Sequence, residues 1–406
     1  MLGKKRMLSA ALAVTAVNAL FVGGASAVGK PAASGGRVAA WAPAMTIGGP
    51  NFNDQTLRMV AHSSVAGSSL RIHLSNLRGS TALTVGAVGV AAQADRATAV
   101  AGSQHPVTFA GRASTTIAAG AEEVSDPIPM TVTADQNVLV SIFLPQATSS
   151  ATWHSDAFDT SYLSGPGDHT ADVGDGDYLA ATTSWYYLSG LDVLPSAARG
   201  TVVAFGDSIT DGYNTPAGAY RRWPDDLARR LAGVRPMGVV DAGIGGNRVL
   251  TDVPNIWQGV SAEKRFAHDA LGRAGVKDVI LLEGINDIGN NAGPQGAPLT
   301  AQDLIAGYQD LIRQAHTAGV RMIGGTLLPD KGNGYYSDAA ESVRQAVNSW
   351  IRTAGAFDGV VDFEKAVADP ADPAALNPAY DSGDHLHPNE AGMQALADAV
   401  DLTLLR

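Results

Sequence analysis

The sequence of 406 residues contains no cysteine. No disulfide bond can form, and a zinc site built on thiolates is excluded. A chain of this length does not need disulfides, because it can bury large apolar cores without them. No His-Glu-x-x-His pattern is present either, and we expect no requirement for a metal ion.

Basic residues are outnumbered, with 28 Lys and Arg against 39 Asp and Glu and a formal charge of −11. An acidic surface repels phosphate backbones and anionic headgroups, which argues against nucleic acids or anionic membranes as partners. Small molecules and neutral polymers such as polysaccharides remain open as partners. The composition does not indicate an oligomeric state.

Long apolar runs are missing outside the N-terminus. Residues 4–6 are cationic, residues 7–22 are mostly apolar and residues 25–27 read Ala-Ser-Ala, which is the pattern of an export signal. The apolar stretch is short and rich in alanine, and no later run reaches the roughly 18 residues of a membrane span. We therefore expect removal of residues 1–27, no membrane insertion, and a secreted, extracellular protein.

Two nucleotide-binding signatures are absent as well. The glycines around Gly245 do not fit Gly-x-Gly-x-x-Gly, and no Gly-x-x-x-x-Gly-Lys-Ser/Thr occurs at the predicted strand-to-helix turns. Asp172, Asp175 and Asp177 lack the spacing and the closing glutamate of a calcium-binding EF-hand loop. We expect no cofactor, and we interpret the three aspartates as a solvated acidic loop.

Residues 28–196 contain short alternating runs separated by Gly, Ser, Pro and Asp. Clear examples lie at residues 57–62, 70–74 and 138–143. This texture is typical of antiparallel strands, and it predicts a β-sandwich accessory domain, jelly-roll-like, over residues 28–196.

In residues 197–406 the spacing of the apolar residues changes. Predicted strands at residues 202–205, 238–241, 279–282, 322–326 and 360–363 alternate with helical segments, which predicts an α/β domain with a mostly parallel sheet. Three apolar stripes at helical spacing predict core-facing helices: Leu304, Tyr308, Leu311, Ile312 and Ala315, starting after an N-cap at Thr300; Val343, Val347, Trp350 and Ile351; and Met393, Leu396, Val400 and Leu404.

Three candidate site residues follow the ends of three predicted strands. Ser208 comes after the first strand, Gly246 after the second and Asn286 after the third. In open parallel sheets, ligands bind beyond the carboxyl ends of the strands, so these residues are expected to meet at one edge. The serine is not in Gly-x-Ser-x-Gly, since Thr210 stands at the last position, and this disfavours the α/β-hydrolase nucleophile elbow.

A C-terminal loop supplies a base. Residues 381–387 carry two aspartates and two histidines, which local spacing pairs either as Asp384 with His387 or as Asp381 with His385. A carboxylate near a histidine can fix the tautomer and stabilise the imidazolium that forms when a serine proton is taken. Spacing alone leaves both pairs open.

Together, residues 205–212, 241–247, 282–287 and 384–388 resemble, in this order, the four sequence blocks of the SGNH hydrolases, the GDSL esterase and acylhydrolase superfamily. The resemblance covers about half of the chain. It implies a flavodoxin-like three-layer α/β/α fold, a carboxylic ester hydrolase activity and a short list of site residues: nucleophile Ser208, base His387 and its partner Asp384, with oxyanion donors at the Ser208 N–H, Gly246 and Asn286.

Substrate contacts are predicted at Asp207, Asn247, Trp223 and Trp257, which lie in or just after the first two blocks. The predicted export signal, the acidic composition and the attached β domain favour short-chain esters as substrates, above all acetyl esters of carbohydrate. One alternative is a lipase or long-chain acylhydrolase. Another is a secreted carbohydrate-binding protein whose hydrolase half is inert.

Overall fold

The computed structural model describes residues 35–195, 197–253 and 257–406. The predicted export signal, residues 1–27, lies outside the described residues, and so does residue 196, where the predicted domain boundary falls. We refer to residues 35–195 as the β half and to the described residues from 197 onward as the α/β half.

The β half consists of antiparallel strands. They are β1 Val38–Trp41, β2 Gln55–Ser63, β3 Gly67–Ser75, β4 Leu83–Val85, β5 Ala87–Asp95, β6 Thr98–Ala99, β7 His105–Pro106, β8 Thr115–Ile117, β9 Glu122–Val124, β10 Gln136–Leu144, β11 Trp153–His154, β12 Ser161–Pro166, β13 Tyr178–Thr182, β14 Trp185–Tyr186 and β15 Leu188–Pro195. One sheet has the order β1-β15-β3-β9. A larger one has the order β13-β12-β2-β10-β5-β6, with β7 also paired to β5.

The central strand β10 shows why this region folds as a sheet. Val138, Val140 and Ile142 point into one apolar cluster, whereas Leu139 between them belongs to a second cluster on the other face. Successive side chains of a strand point to opposite faces, so a continuous apolar run is stable only where both faces are covered. β10 is paired on both edges, with β2 and β5.

The α/β half contains one parallel sheet. Its strands are β16 Thr201–Gly206, β17 Gly238–Gly243, β18 Val276–Leu282, β19 Arg321–Gly325 and β20 Gly359–Val361, in the order β17-β16-β18-β19-β20. Numbered within this half, the order is 2-1-3-4-5, the order of flavodoxin-like sheets. The chain therefore reverses its winding direction after β17, and β16 lies between β17 and β18.

Helices join these strands. They are α1 Ser208–Asp211, α2 Trp223–Ala232, α3 Ala262–Phe266 continued by a π-helical turn Ala267–Leu271, α4 Ile285–Gly289, α5 Ala301–Thr317, α6 Asp338–Thr353, α7 Phe363–Val367 and α8 Glu390–Ala399, with 3₁₀ turns at Pro294–Gly296 and Leu402–Leu404. Helices α2, α7 and α8 pack against one another, and α5 packs against α3 and α6. These contacts place α2, α7 and α8 in one group of helices and α3, α5 and α6 in another.

The helix ends follow local chemistry. Thr300 caps α5, as its sequence predicts, in a capping box with Asp303: the Thr300 side chain accepts the Asp303 N–H, and the Asp303 carboxylate accepts the Thr300 N–H. The third predicted stripe is too long, however. α8 ends at Ala399, and Val400 is extended with ψ 112°, so Val400 and Leu404 reach the core from outside the helix.

The two halves share part of their core. Ala39, Ala42 and Ala44 of the β half belong to the buried apolar cluster of the α/β half. Strand β1 lies beside β17, and the Ala39 N–H donates to the carbonyl of Ala274 at 2.9 Å. Gly238 has no room for a side chain, because a Cβ there would collide with the carbonyl oxygen of Ala39. The halves are therefore in close backbone contact.

Candidate active site

Ser208 lies at the edge of the parallel sheet, directly after β16. It is the first residue of α1, and Asp207 before it caps the helix by accepting the Ile209 N–H at 3.0 Å. Gly206 has to be glycine because a Cβ would collide with Thr210 and with the Leu282 carbonyl. This tight turn presents Ser208 with 8% of its surface exposed.

A chain of two hydrogen bonds connects Ser208 to the C-terminal loop. The Ser208 Oγ lies 2.8 Å from His387 Nε2, and His387 Nδ1 lies 2.6 Å from Asp384 Oδ2. A carboxylate only accepts, so Nδ1 carries the proton and Nε2 is left as an acceptor for the serine hydroxyl. The three side chains are thus aligned for proton transfer from Ser208 to His387.

Asp384 is held by its own loop. Its Oδ1 accepts the N–H groups of Leu386 at 3.0 Å and His387 at 2.8 Å. Partial burial alone would raise the pKa of Asp384, but these backbone donors and the His387 ring lower it below its usual value. The carboxylate therefore stays ionised and keeps the His387 ring in place.

His387 is largely buried, with 9% of its surface exposed. Burial disfavours the imidazolium and lowers the pKa of His387 below its usual value, although the hydrogen bond and charge of Asp384 oppose the shift. The ring of Tyr213 packs against it, with 4.5 Å between ring centroids. The neutral ring, which can take a proton, is thus the favoured form near neutral pH.

The competing pair forms a separate contact. His385 Nδ1 lies 2.6 Å from Asp381 Oδ2, and half of the His385 side chain is exposed. His385 also has a positive φ of 62°. Of the two histidines, His387 is the one hydrogen-bonded to Ser208.

Three hydrogen-bond donors face the same edge of the sheet. The N–H groups of Ser208 and Gly246 have no acceptor in the described part of the chain. Gly246 has a φ of 73°, a conformation that favours glycine, and a Cβ there would also press on the Gln258 side chain. Asn286, in the first turn of α4, supplies a side-chain amide.

The amide of Asn286 is oriented by its neighbours. Its Nδ2 donates to the Asn247 carbonyl at 3.0 Å, and its Oδ1 accepts the Tyr335 hydroxyl at 3.3 Å. An amide nitrogen carries two protons. One proton of Asn286 is therefore committed to Asn247, and the second is available to another acceptor.

Asp287, the next residue, turns away from the site. It is buried and accepts the N–H groups of Val249 at 2.8 Å and Leu250 at 3.1 Å. Burial raises the pKa of Asp287 to about 7, although these two donors oppose it. Its function in the structure is to hold the loop after β17 against α4.

Arg265, which belongs to none of the predicted site residues, joins the ends of three strands. The buried guanidinium donates to the carbonyls of Gly206 and Ala242, both at 2.8 Å, and to Asn247 Oδ1 at 2.7 Å. It also lies 3.3 Å from Glu283 Oε2. Burial raises the pKa of Glu283 to about 7 against the pull of this cation. No sequence signal distinguishes this arginine from a surface helix residue.

Three of the four predicted substrate contacts are wrong for a geometric reason. Trp223 is fully buried against Phe363, and Asp207 is 1% exposed in its role as the α1 cap. Asn247 is also 1% exposed, and its side chain is saturated by two carbonyls and Arg265. A substrate cannot reach these groups. Trp257 differs, because 41% of it is exposed and its ring lies against Gly245.

In the acidic loop of the β half, His169 lies beside two of the three aspartates. His169, Asp172 and Asp177 bring possible ligand atoms within 4.8 Å of one another, whereas Asp175 is not in this group. His169 Nδ1 is hydrogen-bonded to Asp172 Oδ2 at 2.8 Å.

Among the described residues, no helix is both long and apolar enough to cross a membrane.

Comparison with known proteins points to one family. Residues 204–395 match the model of the GDSL-like lipase/acylhydrolase family. The matched range runs from β16 into α8, and it includes Ser208, Asn286, Asp384 and His387. Among curated proteins, none is detectably similar to the chain in sequence.

Several solved structures are similar to about half of the chain. A GDSL-like lipase from Bacteroides thetaiotaomicron has 21% identity and a TM-score of 0.38, over 51% of this chain and 88% of that one. A carbohydrate acetylesterase from Sinorhizobium meliloti has 16% identity and a TM-score of 0.38, over 49% and 95%. The M. smegmatis aryl esterase has 18% identity and a TM-score of 0.37, over 49% and 95%.

Proposed function

Residues 204–395 of this protein form a GDSL-like lipase/acylhydrolase domain, a carboxylic ester hydrolase, and from this premise we propose that it cleaves short acyl esters of carbohydrate through an acyl-serine intermediate. The observation that carries the proposal is the pair of hydrogen bonds from Ser208 to His387 and from His387 to Asp384. An isolated serine is a weak nucleophile, and an adjacent base activates it.

In the first half of the reaction His387 Nε2 takes the hydroxyl proton of Ser208, while the Oγ bonds to the carbonyl carbon of the ester. The carbonyl oxygen becomes an oxyanion. The C–O bond to the alcohol then breaks, and the alcohol leaves with the proton held by His387. In the second half a water gives its proton to His387 and attacks the acyl-serine, which releases the acid and restores the Ser208 hydroxyl.

The oxyanion is stabilised by the Ser208 and Gly246 N–H groups and by the free proton of the Asn286 amide. Donors fixed in a water-poor site act without reorganising when charge develops, and this is often the largest single contribution to catalysis. Asp384 stays ionised, holds the Nδ1–H tautomer of His387 and stabilises the imidazolium that forms.

The finer parts of the fold belong to the proposal as well. We propose that the two larger sheets of the β half pack as a sandwich, which is supported by one apolar cluster drawing on strands of both sheets. We further propose that the α/β half is a three-layer α/β/α domain, supported by its two helix groups. A crystal structure tests the sandwich proposal, and the two β sheets are expected to lie face to face about 10 Å apart.

We propose that the protein acts outside the cell, on the basis of the signal-like residues 1–27. N-terminal sequencing of protein from the culture medium tests this, and a start near Val28 is expected. An intact Met1 on cell-retained protein would contradict it. The acidic composition supports a neutral rather than an anionic substrate.

The acyl specificity is testable with aryl esters of increasing chain length. We expect the highest kcat/KM for acetate and a fall by octanoate, followed by release of acetate from acetylated xylan or pectin. Acetate release by mass or by chromatography is the measurement. Slow hydrolysis of acetate with fast hydrolysis of octanoate or longer would reverse the assignment in favour of a lipase.

The pH dependence of kcat/KM should report the protonation of His387. Because burial lowers the pKa of this ring, its neutral form persists below the usual histidine value near 6.5, and we expect the acid limb of kcat/KM to have its midpoint below that value. The rate should fall as pH drops through that midpoint, since the imidazolium cannot take a proton. Aryl acetate hydrolysis from pH 4 to 9 measures this, with circular dichroism to exclude unfolding. A midpoint at pH 7 or above, or full activity well below pH 5, would contradict it.

Replacing Asn286 with alanine removes one oxyanion donor. We expect kcat to fall by about 10²- to 10³-fold with a small change in KM, because the contact is made to charge that exists only in the transition state. Tyr335→Phe is the graded comparison, since it removes only the hydroxyl that orients the amide. Its kcat should fall less than that of Asn286→Ala. An Asn286→Ala enzyme within fivefold of wild type would remove Asn286 from the oxyanion site.

A further inference from the structure

A short stretch of the β half, residues 154–158, lies beside the candidate active site; we call it the anchored segment. We propose that it forms one wall of the catalytic cleft, and that Asp156 within it, together with Trp257, holds the sugar ring of the ester. This inference rests on the proposed function, because it concerns the alcohol side of the same substrate.

The first anchor joins this segment to the helix of the nucleophile. His154 Nε2 lies 3.0 Å from Asp211 Oδ1, and His154 Nδ1 lies 2.8 Å from the Ala44 carbonyl. Both ring nitrogens face acceptors, so both must donate and the ring is an imidazolium. Burial would lower the pKa of His154, but the charge of Asp211 outweighs it and raises the pKa to about 9. Asp211 is the last residue of α1, which begins at Ser208.

Two further anchors fix the other end of the segment. The guanidinium of Arg222 donates to the Ala157 carbonyl, and the Gly218 N–H donates to the Phe158 carbonyl at 2.8 Å. Phe158 has a φ of 46°, a left-handed conformation that is unfavourable for a residue with a side chain. A strained backbone with three polar anchors into the α/β half is held in one position.

From there the segment reaches both sides of Ser208. On the histidine side, Phe158 meets Tyr213 edge-to-face with 6.2 Å between centroids, and Tyr213 packs on His387. On the oxyanion side, Asp156 Oδ2 lies 3.6 Å from the point where a Cβ on Gly245 would stand. Gly245 directly precedes the oxyanion donor Gly246.

Asp156 and Trp257 flank Gly245 together. The Cζ3 atom of Trp257 lies 3.1 Å from the same Cβ position, and 41% of the residue is exposed. The carboxylate of Asp156 accepts the Ser155 hydroxyl at 3.0 Å and is only partly buried, so it has lone pairs left for a ligand. Because Gly245 has no side chain, no atom of it covers the ring of Trp257 or the carboxylate of Asp156.

This combination fits a neutral sugar. A pyranose ring offers a flat C–H face that packs on an aromatic ring, and its hydroxyls donate to a carboxylate. A fixed negative charge at the same place repels the anionic headgroups of phospholipids and free fatty acids. The recognised ligand is therefore the uncharged, hydroxyl-rich alcohol part of an acetylated oligosaccharide.

The test compares two substrates in the full-length protein, an acetylated xylo-oligosaccharide and an aryl acetate. The readout is the ratio of their kcat/KM values. Asp156→Ala should lower this ratio about tenfold or more, as expected for the loss of hydrogen bonds to a charged group. Trp257→Ala should lower it about three- to tenfold, and Trp257→Phe should keep most of it. Asp175→Ala makes the same chemical change at an exposed carboxylate of the β half, and as the matched control it should keep the ratio.

A binding measurement separates recognition from chemistry. In the Ser208→Ala background, calorimetry with acetylated xylotriose should show affinity weakened about tenfold by Asp156→Ala. An unchanged kcat/KM ratio in Asp156→Ala and Trp257→Ala, with unchanged affinity in Asp156→Ala, would overturn the inference, as would an equal fall of kcat/KM on both substrates. If the wild type cleaves aryl acetate but not the acetylated oligosaccharide, the carbohydrate assignment falls with it while the esterase assignment stands.

Discussion

Replacing Ser208 with alanine is expected to lower kcat/KM for an aryl acetate by about 10⁶-fold, roughly 8 kcal/mol of transition-state stabilisation. The reason is chemical. Without the Oγ no acyl-enzyme can form, and His387 has no proton to remove. The fold should persist, because the side chain is small and its one described hydrogen bond ends on His387. Initial rates with purified protein, blank-corrected for spontaneous hydrolysis, measure the loss.

The control for this variant is Ser349→Ala, which makes the same chemical change on the exposed side of α6. It should keep wild-type rates. Adding Asp384→Asn to Ser208→Ala should cost little more, since residues that act as one unit lose their effect together. Appreciable turnover by the Ser208→Ala enzyme, with thermal unfolding near that of the wild type, would refute the assignment of the nucleophile.

Replacing Asp384 with asparagine should lower kcat by about 10⁴-fold. The amide of asparagine can donate to Nδ1, and the ring then carries its proton on Nε2, facing Ser208 with a donor instead of an acceptor. The loss of the carboxylate also removes the charge that stabilises the imidazolium. The measurement is kcat at a pH above the acid limb, together with circular dichroism.

Asp381→Asn is the matched comparison in the same loop. Asp381 contacts the half-exposed His385, and its Oδ1 accepts two backbone N–H groups, which asparagine can still do. We expect less than about tenfold loss. If Asp381→Asn were the more damaging of the two changes, the working pair would be Asp381 with His385, and the proposed relay would be wrong.

The sheet edge was predictable because it depends on local periodicity. Ser208, Gly246 and Asn286 each follow a run of buried apolar residues, and such runs become parallel strands whose carboxyl ends share one edge. Thr300 and Asp303 likewise encode their capping box within four residues. Features of this kind are settled by neighbours in the sequence.

Trp223 shows a prediction that a local signal could have corrected. It is one of the predicted substrate contacts, but Trp223, Leu227 and Leu231 recur every four residues along α2 and are all buried. That spacing is typical of a core-facing helix stripe. Asn247 and Arg265 had no such signal. The partners of Arg265 come from three strand ends that are far apart in the chain, and Asn247 is held by Arg265 and by the carbonyls of Gln258 and Val260.

The C-terminal loop marks the limit of sequence reasoning from spacing. Two Asp–His pairs with nearly the same separation occur within seven residues, and both form a hydrogen bond of 2.6 Å. The two pairs differ in the burial of the histidine and in the contact of its second ring nitrogen, which in His387 is hydrogen-bonded to Ser208. Only the packed chain determines this, since it brings His387 to a serine 179 positions away.

By itself the amino-acid sequence determined the class of the protein: an all-β stretch followed by strands alternating with helices, with a serine, an asparagine and a histidine in the order of a known hydrolase family. Composition, periodicity and short motifs depend on a few neighbouring residues, and the order of strands, helices and motif residues can be predicted from them alone. The tertiary structure decided which side chains meet solvent and which are committed to the interior, and it brought Asp156 of the β half to the glycines beside Ser208. Burial and contacts across a domain boundary depend on the whole packed chain, so no local pattern contains them.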